Sequence, residues 1–379
     1  MPQKTTKPVI LIADNSTAVT GALMAIWNAT DPLRHNFEFI YVLPKNSQGR
    51  NMIEKAGYVV HELPFVEISR RKGDLVRYLP MLLLNGWRVF QLIRQHNVAL
   101  LHVNDFYNLT GYIAKLLSFG RLRLVIHVRF LPQSLIQPLA RMWRWLGEHY
   151  ADRVICVSEA VRHYFDAPNV HVVFDPIPGV ERHPAAPTPA IRPDSTVQLL
   201  YLSNYIQGKG HDLALQAFQH AYTSNPNLRL TFLGGDMGMP KNQKFRQLLE
   251  STVLTQGLTN VVSFGGFVKD VELAIKQADI ILNFSESESF SLTCLDALFY
   301  GTPLIATDCG GPAELFENEK SGLLVPNRDV SAMTVAILRL ADNISLRQQF
   351  SKEGRSFVQS KFNAGSTYDK IRKIYEGLL

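Results

Sequence analysis

The chain has 379 residues, 46% of them hydrophobic and 19% charged, which is typical of a globular protein and long enough for two domains. No apolar run approaches the roughly 18 residues of a membrane-spanning helix, and Cys156, Cys294 and Cys309 show neither metal-ligand spacing nor a secreted disulfide pattern, so a reducing cytosol fits. The net charge is +6, and residues 1–190 alone carry +7, with 21 basic and 14 acidic side chains, which indicates an anionic partner such as a membrane surface, a polyanion or a nucleic acid.

The chain begins with a predicted strand over Val9–Ala13, an apolar run too short for the core of a signal peptide. A polar loop follows, with Gly21 just before an apolar helix that starts at Leu23. Gly21 is either part of a ligand-binding loop or an ordinary turn glycine. Further strands are predicted over Phe37–Leu43 and Tyr58–Leu63.

The most basic stretch runs from Ile68 to His96 and is predicted to form an amphipathic helix. It holds one acid, Asp74, and six cations, which are Arg70, Arg71, Lys72, Arg77, Arg88 and Arg94. Apolar and aromatic side chains are interleaved with them, so this helix suits an anionic lipid surface, although a solvated basic face is the alternative. A second basic and aromatic patch, Arg141–Trp145, favours the membrane interpretation.

Two polar side chains mark the end of the strand predicted over Leu124–Val128. His127 is near the carboxyl end of this strand, and Arg129 is the first polar residue beyond it. A cation in that position can interact with a leaving phosphate or with an acceptor group. The alternative for His127 is an ordinary strand histidine.

A second domain is predicted to open after a proline- and alanine-rich linker, 184–195. Its first strand, Val197–Leu202, leads into a loop in which Lys209 is flanked by two glycines, and a helix follows from His211. A lysine in such a loop is a candidate phosphate ligand, and a surface lysine is the alternative. Later, Gly234-Gly235 lacks the G-x-G-x-x-G spacing, which disfavours a dinucleotide oxidoreductase.

The most informative stretch is Asp279 to Leu315, which reads as strand, acidic turn, helix and strand. A helix that begins beyond the carboxyl end of a strand offers its free N–H groups to phosphate or to sugar hydroxyls. Glu288 is predicted at the start of this helix, and Asp296 about 12 Å further along its axis. Two carboxylates at this separation, acting as hydrogen-bond acceptors, would suit a ligand that has two sugar rings joined by a diphosphate. The alternative is that the acids merely favour a helix N-terminus.

This stretch resembles the signature of the family 4 glycosyltransferases, retaining enzymes of glycosyl transferases group 1. The matching residues are Glu288, Phe290, Ser291, Asp296, Ala297, Gly301, Pro303, Leu304, Ile305, Ala306, Gly310, Gly311 and Glu314. The resemblance implies the α/β GT-B fold, two Rossmann-like domains facing across a cleft. Residues 1–183 would bind the acceptor and 196–379 the nucleotide-sugar donor, with the last helix, 366–379, crossing back to the first domain.

The resemblance also implies the reaction and the residues that perform it. A sugar would pass from a nucleotide diphosphate sugar to a hydroxyl with retention of configuration and without a metal, and no Asp-x-Asp motif occurs in the sequence. The implied catalytic residues are Glu288, Lys209 and Arg129. The implied donor-binding residues are Asn204, Lys209, Gly266, Phe267, Val268, Glu288, Ser289, Phe290, Ser291, Leu292 and Asp296. Gly21, His127 and Arg129 would lie on the acceptor side.

Several residues depart from the family pattern: Asn204 replaces an arginine, Ser203 and Ser291 each replace a glycine, and Asp296 replaces a glutamate. These departures leave room for a non-catalytic nucleotide-sugar-binding subunit, and a sugar-nucleotide epimerase of the same fold is a further alternative. The expected partners are the donor and a cell-envelope glycan or lipid-linked acceptor, with no nucleic acid and no further cofactor. The expected location is the cytoplasm, peripheral on the inner face of the membrane.

Overall fold

A computed structural model describes residues 7–65, 72–177 and 196–379, with only the backbone of 72–75. The chain divides into two compact units. The first combines Met1–Pro178 with Ala364–Leu379, and the second is Gly179–Asn363. The predicted linker, 184–195, lies outside the described residues, as do Arg70 and Arg71 of the basic stretch.

The first unit is built on a seven-stranded sheet in which every described pairing is parallel. Its strands are β1 (Val9–Ala13), β2 (Glu38–Pro44), β3 (Val59–Leu63), β4 (Val98–Val103), β5 (Arg123–Val128), β6 (Arg153–Cys156) and β7 (Val170–Val172). The strand order is β3-β2-β1-β4-β5-β6-β7. The helices of this unit that come before the second unit in the sequence are α1 (Gly21–Thr30), α2 (Arg50–Lys55), α3 (Lys72–Gln95), α4 (Thr110–Leu117), α5 (Gln137–Tyr150) and α6 (Glu159–Arg162).

The second unit repeats the plan with six parallel strands. They are β8 (Val197–Leu202), β9 (Leu228–Leu233), β10 (Val262–Phe264), β11 (Ile280–Asn283), β12 (Leu304–Thr307) and β13 (Leu323–Val325). The order is β10-β9-β8-β11-β12-β13. The helices are α7 (His211–Ser224), α8 (Pro240–Thr255), α9 (Val271–Lys276), α10 (Leu292–Tyr300), α11 (Val330–Ala341) and α12 (Ile344–Lys361).

The last helix, α13 (Ala364–Glu376), belongs to the first unit although it follows the second in sequence. Ile371 and Tyr375 are fully buried in the core that α1 and β2 build. The Tyr375 ring meets the Phe37 ring edge-on, with 5.4 Å between centroids. Thr367 donates its hydroxyl to the Phe174 carbonyl at 3.0 Å, so α13 is anchored by both apolar and polar contacts.

Each sheet reverses its strand order once, between β1 and β4 in the first unit and between β8 and β11 in the second. At each reversal, the loops that follow the two neighbouring strands run in opposite directions and leave a crevice at the carboxyl ends of those strands. Open α/β sheets bind ligands in such crevices. Both units therefore present one such edge. Within the described residues, no helix combines the length and apolar character needed to cross a bilayer.

Candidate functional site

Five loops of the second unit leave the carboxyl edge of its sheet and are tied together through their backbones. The loops after β8 and β9 are joined because Ser203 donates its N–H to the Leu233 carbonyl at 2.9 Å. Gly234 donates its N–H to the Gly266 carbonyl at 3.0 Å, which adds the loop after β10. Glu286 donates its N–H to the Gly208 carbonyl at 2.9 Å and Glu288 donates its N–H to the Cys309 carbonyl at 3.3 Å, which adds the loops after β11 and β12 and makes the edge at the β8–β11 reversal a continuous, backbone-bonded rim.

An ion pair lies at that reversal. Lys209, from the loop after β8, places its Nζ 2.7 Å from Oε1 of Glu288, from the loop after β11. Ser285 donates its hydroxyl to the same oxygen at 3.1 Å. The side chains are 30% and 16% exposed, so the pair is partly shielded and still reachable from solvent. The two residues singled out in separate sequence motifs are therefore brought into contact.

The backbone around Lys209 is held by a buried tyrosine and a close-packed glycine. The Tyr201 hydroxyl donates to the Lys209 carbonyl at 2.5 Å and accepts the Phe284 N–H at 2.9 Å, which bridges the two loops. Gly210 has a φ of +73°, and a Cβ built on it would lie 1.9 Å from the Phe284 carbonyl oxygen. Only glycine fits this position, and the lysine loop is therefore pressed against the strand that leads to Glu288.

The prediction that Glu288 starts a helix is wrong. Glu288 is extended and forms an isolated parallel bridge with Gly310, in which the Gly311 N–H donates to the Glu288 carbonyl at 2.8 Å. The helix α10 begins only at Leu292. The 12 Å axial spacing between Glu288 and Asp296 therefore does not apply, because Ser289 to Ser291 separate the carboxylate from the helix.

Ser291 explains why the helix starts late. Its φ of +80° is in the left-handed region, a conformation that suits the family's glycine better than serine. The hydroxyl compensates, since its Oγ accepts the Cys294 N–H at 3.4 Å and the Asn283 amide at 2.9 Å. Serine at this position thus caps α10, while the first N–H groups of the helix, from Leu292 onwards, lack intrahelical acceptors.

Asn204, which stands where the family has an arginine, is half-buried and holds a neighbouring loop. Its side-chain Oδ1 accepts the Gly235 N–H at 3.0 Å. A Cβ on Gly234 would lie 1.8 Å from the Ser203 carbonyl oxygen, so the glycine pair lets the two loops touch. Asn204 therefore shapes the rim without supplying a charge.

The remaining predicted donor residues divide into exposed and buried side chains. Phe267 is 69% exposed at the end of the loop after β10, beside Gly266 and the half-buried Val268. Phe290 is buried and packs against the Phe362 ring at 5.7 Å, so only its backbone is placed to meet a ligand. Ser289 lies between Glu288 and Phe290 on the extended segment that Gly311 contacts closely.

Asp296 lies on the second turn of α10, where it is half-buried. Its carboxylate forms no hydrogen bond or ion pair with the described part of the chain, and burial raises its pKa to about 7. Burial raises the pKa of Tyr300 to about 12, and the negative charges of Asp296, Glu272 and Asp270 contribute to that rise. Asp296 is thus a half-buried carboxyl group close to Tyr300, and within the described residues no partner stabilises its charge.

The polar side chains at the carboxyl ends of β1, β4 and β5 form a buried cluster in the first unit. Arg129 is paired with the Asp175 carboxylate and donates its Nε–H to Oδ1 of Asn104 at 2.8 Å. Asn104 in turn donates to the Asp14 carboxylate. Burial raises the pKa of Asp105 to about 8. The guanidinium expected to face a substrate is therefore buried against carboxylate and amide oxygens of its own unit.

His127 belongs to a chain of buried rings that ends at α13. Arg129 has donors only, so Nδ1 of His127, 3.3 Å from its Nη2, must accept. Nε2 of His102, 3.3 Å from the same Nδ1, then carries a proton, and Nδ1 of His102 accepts the Tyr375 hydroxyl at 2.6 Å. Burial and the Arg129 charge lower the pKa of both histidines, to about 3 for His102, so both rings are neutral.

Gly21 is the first residue of α1 and is exposed. The cap of this helix is Thr20, whose hydroxyl accepts the Leu23 N–H at 3.2 Å and lies 3.0 Å from the Ser16 hydroxyl. Gly21 has no positive φ, so no turn conformation requires glycine at this position. Its predicted acceptor-side role stays a prediction.

Several residues of these clusters were missed by sequence reasoning. Tyr201 and Ser285 hold the lysine loop and Glu288, and Asp14 and Asp175 flank the arginine of the first unit. Polar residues at strand ends were a usable signal for Asp14 and Ser285. Among the described residues, no group of three or more His, Cys, Asp or Glu side chains is arranged to hold a metal.

Two family profiles match consecutive parts of the chain. Residues 189–357 match "Glycosyl transferases group 1", and residues 37–177 match "Glycosyltransferase Family 4". The first match covers Lys209, Glu288 and Asp296, and the second covers Arg129 and His127.

Curated relatives carry glycosyltransferase names. The chain is 29% identical over 243 residues to D-inositol 3-phosphate glycosyltransferase of Saccharomonospora viridis, covering 59% of this chain and 55% of that protein. It is 24% identical over 182 residues to mannosylfructose-phosphate synthase of Agrobacterium fabrum, covering 47% and 40%. The matched region thus spans about half the length of these relatives.

Solved structures share the fold over nearly the whole chain. Anabaena HepE in complex with UDP-glucose superposes with a TM-score of 0.81 at 19% identity, covering 97% of this chain and 99% of that one. Sucrose-phosphate synthase of Thermosynechococcus elongatus gives a TM-score of 0.77 at 19% identity, covering 98% and 99%. Two Rossmann-like units, matched one by each profile, place this chain in the glycosyl transferases group 1 family, with a family 4 first unit and a fold of the GT-B type.

Proposed function

We propose that this protein transfers a hexose-type sugar from a nucleotide diphosphate sugar to a hydroxyl group. The observation that carries the proposal is the Lys209–Glu288 pair at the strand-order reversal of the second unit, beside the N-terminus of α10. A mobile cation and the free N–H groups of a helix are suited to a diphosphate leaving group. A carboxylate beside them is suited to sugar hydroxyls.

Lys209 would exchange one anionic partner for another during the reaction. Its Nζ is held by Glu288 in this structure, and an arriving diphosphate offers a stronger, doubly charged partner. The cation would then neutralise charge as the sugar–phosphate bond breaks. Glu288, released from the lysine and still bonded to Ser285, would bind the sugar or orient its phosphate.

Asp296 and the Phe267 loop would hold the nucleoside. Ribose hydroxyls are donors that the Asp296 carboxylate lacks in this structure, and backbone groups of Phe267 and Val268 would contact the base. The aspartate is one methylene shorter than the family's glutamate, so α10 or the ribose must approach by a small shift. Asn204 offers no charge in place of the family's arginine, so Lys209 would carry more of the diphosphate binding.

The finer assignments follow the family resemblance. We propose retention of configuration, no metal and no further cofactor, with no side chain acting as a covalent nucleophile. Arg129, oriented by Asp175, His127 and Asn104, would serve the acceptor side from the first unit. The proposed acceptor is a cell-envelope glycan or lipid-linked sugar, met by a cytoplasmic enzyme that is peripheral on the membrane, and the basic first unit supports this choice.

The test is turnover by the purified protein. UDP-glucose is the first donor to use because the Anabaena HepE structure holds it. Incubation with donor and acceptor membranes should release UDP and label the acceptor, and labelled product should keep the α-anomeric configuration in its NMR spectrum. Conversion of the donor with no acceptor present would favour an epimerase. Donor binding without turnover across a panel of nucleotide sugars would favour a binding subunit.

The raised pKa of Asp296 predicts a pH dependence of donor binding. Ribose hydroxyls stabilise the carboxylate, so binding should lower the pKa from about 7 and release a proton. We expect affinity for UDP-glucose to fall by roughly tenfold per pH unit at most as the pH drops well below 7. Calorimetry in buffers of different ionisation enthalpy measures the released proton. UDP-glucose is preferred to UDP because its phosphates do not titrate in this range.

The control for this prediction is Asp296→Asn, which keeps the shape and removes the titration. Its affinity should be lower and flat across the same pH range, and equal proton release by both proteins contradicts the ribose assignment. The same group affects folding. Because its pKa is above 3.8 in the folded state, it favours folding while protonated, and that contribution is lost as the pH rises from about 4 to about 7.

A further inference from the structure

Three helices of the first unit form one layer on one side of its sheet. The helices α3, α4 and α5 connect β3 to β4, β4 to β5 and β5 to β6, so right-handed crossovers place them on the same side. The α3 and α4 helices pack against each other, and Gly147 of α5 approaches Tyr112 of α4. The opposite side of the sheet is covered by α1 and α13.

The outer face of α3 carries an apolar stripe that faces solvent. Val76, Leu79, Leu83 and Trp87 follow each other at three- and four-residue spacing and are between 47% and 76% exposed. The inner face of the same helix is also apolar, with Val89 and others in the core. Because the core covers only the inner face of α3, the apolar residues of the outer face are available to contact a second apolar environment.

Exposed apolar side chains also lie on the other two helices of this layer. Leu116 in the last turn of α4 is exposed, and Phe119 in the following turn is 92% exposed. Phe119 has a φ of +52°, an uncommon conformation for a bulky residue, and it places an aromatic ring at the tip of the turn. On α5, Met142 and Trp145 are exposed in the same way.

The surface of this layer is strongly basic. Between Val76 and Gly147 the sequence has a single acid, Asp105, which is buried. The same span holds nine cations, of which Arg129 is buried and Lys115, Arg123 and Arg144 pair with Asp152, Glu148 or Asp166; the other five are Arg77, Arg88, Arg94, Arg121 and Arg141. Within the described ranges, no carboxylate pairs with Arg77, Arg88, Arg94 or Arg121. These four arginines, three on α3 and one in the turn after α4, therefore have no carboxylate partner within the described residues.

We propose that this outer face of α3, α4 and α5 docks on an anionic lipid bilayer. Exposed Trp, Phe and Leu side chains would enter the interfacial region, and the arginines near the surface would be attracted to anionic headgroups. Charge complementarity favours this occupant, because an anionic surface supplies negative groups for Arg77, Arg88, Arg94 and Arg121, which have no carboxylate partner among the described residues. Docking on the bilayer is inferred from this face alone. The link between docking and a lipid-linked acceptor rests on the proposed function.

The test is co-sedimentation of the full chain with lipid vesicles, without any donor. The wild type should bind vesicles that contain phosphatidylglycerol at least about tenfold more tightly than pure phosphatidylcholine, and high salt should weaken that binding. The double variant Leu79→Glu/Leu83→Glu should lose most of the binding, and Arg88→Gln/Arg94→Gln should lose the preference for anionic lipid. The matched control is Leu248→Glu/Leu254→Glu, which changes two exposed leucines of α8 in the second unit.

Three results would overturn the proposal. The first is equal binding of the wild type to neutral and anionic vesicles, and the second is an equal loss of vesicle binding in the α3 and α8 variants. The third is self-association of the wild type in sedimentation velocity that Leu79→Glu/Leu83→Glu abolishes, which would make the face a protein interface. UDP release with a soluble acceptor is measured on the same variants. Retained turnover with lost vesicle binding separates this inference from the proposed function.

Discussion

Replacement of Lys209 by alanine should lower kcat for sugar transfer by about 100-fold to 1,000-fold and weaken donor binding. The lysine is the cation that the loop after β8 presents at the strand-order reversal, and Asn204 supplies no second charge beside it. The loss should therefore be larger than in a site with two cations. Steady-state kinetics with UDP-glucose and calorimetry with UDP measure the two effects separately.

The fold should survive this substitution. The Lys209–Glu288 pair is partly exposed, so its loss should cost at most about 1 kcal/mol of unfolding free energy. The matched control is Lys352→Ala on α12, which removes an exposed lysine of the same unit and should leave kinetics unchanged. Unchanged kcat in Lys209→Ala would remove the lysine from the reaction. An unfolded variant would be recognised by its thermal melt before kinetics are compared.

Replacement of Gly210 by alanine should destabilise the second unit and abolish donor binding. The added Cβ would lie 1.9 Å from the Phe284 carbonyl oxygen and 2.9 Å from the Tyr201 hydroxyl, so strand β11 or the lysine loop must move. Either movement separates Lys209 from Glu288. Overpacking of this kind costs about 1–3 kcal/mol, and the left-handed φ adds about 1–2 kcal/mol.

Gly257→Ala is the matched control for Gly210→Ala. Gly257 lies in the same unit at a φ of +68°, and nothing lies within 4 Å of the Cβ that alanine would add. This variant should show only the cost of the backbone conformation, about 1–2 kcal/mol in urea unfolding, and should keep its affinity for UDP. Similar losses in both variants would mean that the contact with Phe284 does not matter.

The sequence predicted the strands and the lysine loop because both are encoded locally. The strand predicted over Val9–Ala13 is confirmed as β1, and the two glycines around Lys209 both have a positive φ in the turn between β8 and α7. The helix after Glu288 was predicted, but its start was placed too early. The left-handed backbone of Ser291 delays the start of α10 to Leu292. The sequence does not reveal this, because the spacing of the apolar residues around Ser291 is compatible with a helix that starts earlier.

The contacts that join distant residues were not predictable from one sequence. His102 and Tyr375 are 273 positions apart, and Arg129 and Asp175 are 46 apart, with nothing in either local pattern that specifies its partner. These pairings depend on which strand ends lie side by side and on α13 returning to the first unit. Polarity at a strand end indicates a site, but the sheet order decides which of its residues meet.

The exposed apolar residues of α3 illustrate a different limit. The alternation of basic and apolar residues in Ile68–His96 predicted an amphipathic helix, and α3 is helical over Lys72–Gln95. The pattern left open which apolar residues face the core. The fold resolves this by burying Val89 and Ile93 and exposing Val76, Leu79 and Leu83.

A crystal structure of this chain with UDP-glucose tests the central claim most directly. The account predicts a diphosphate oxygen about 3 Å from Nζ of Lys209, a ribose hydroxyl at a similar distance from the Asp296 carboxylate, and Glu288 freed from the lysine. A nucleotide sugar bound with full occupancy elsewhere, with the Lys209–Glu288 pair intact, would contradict it.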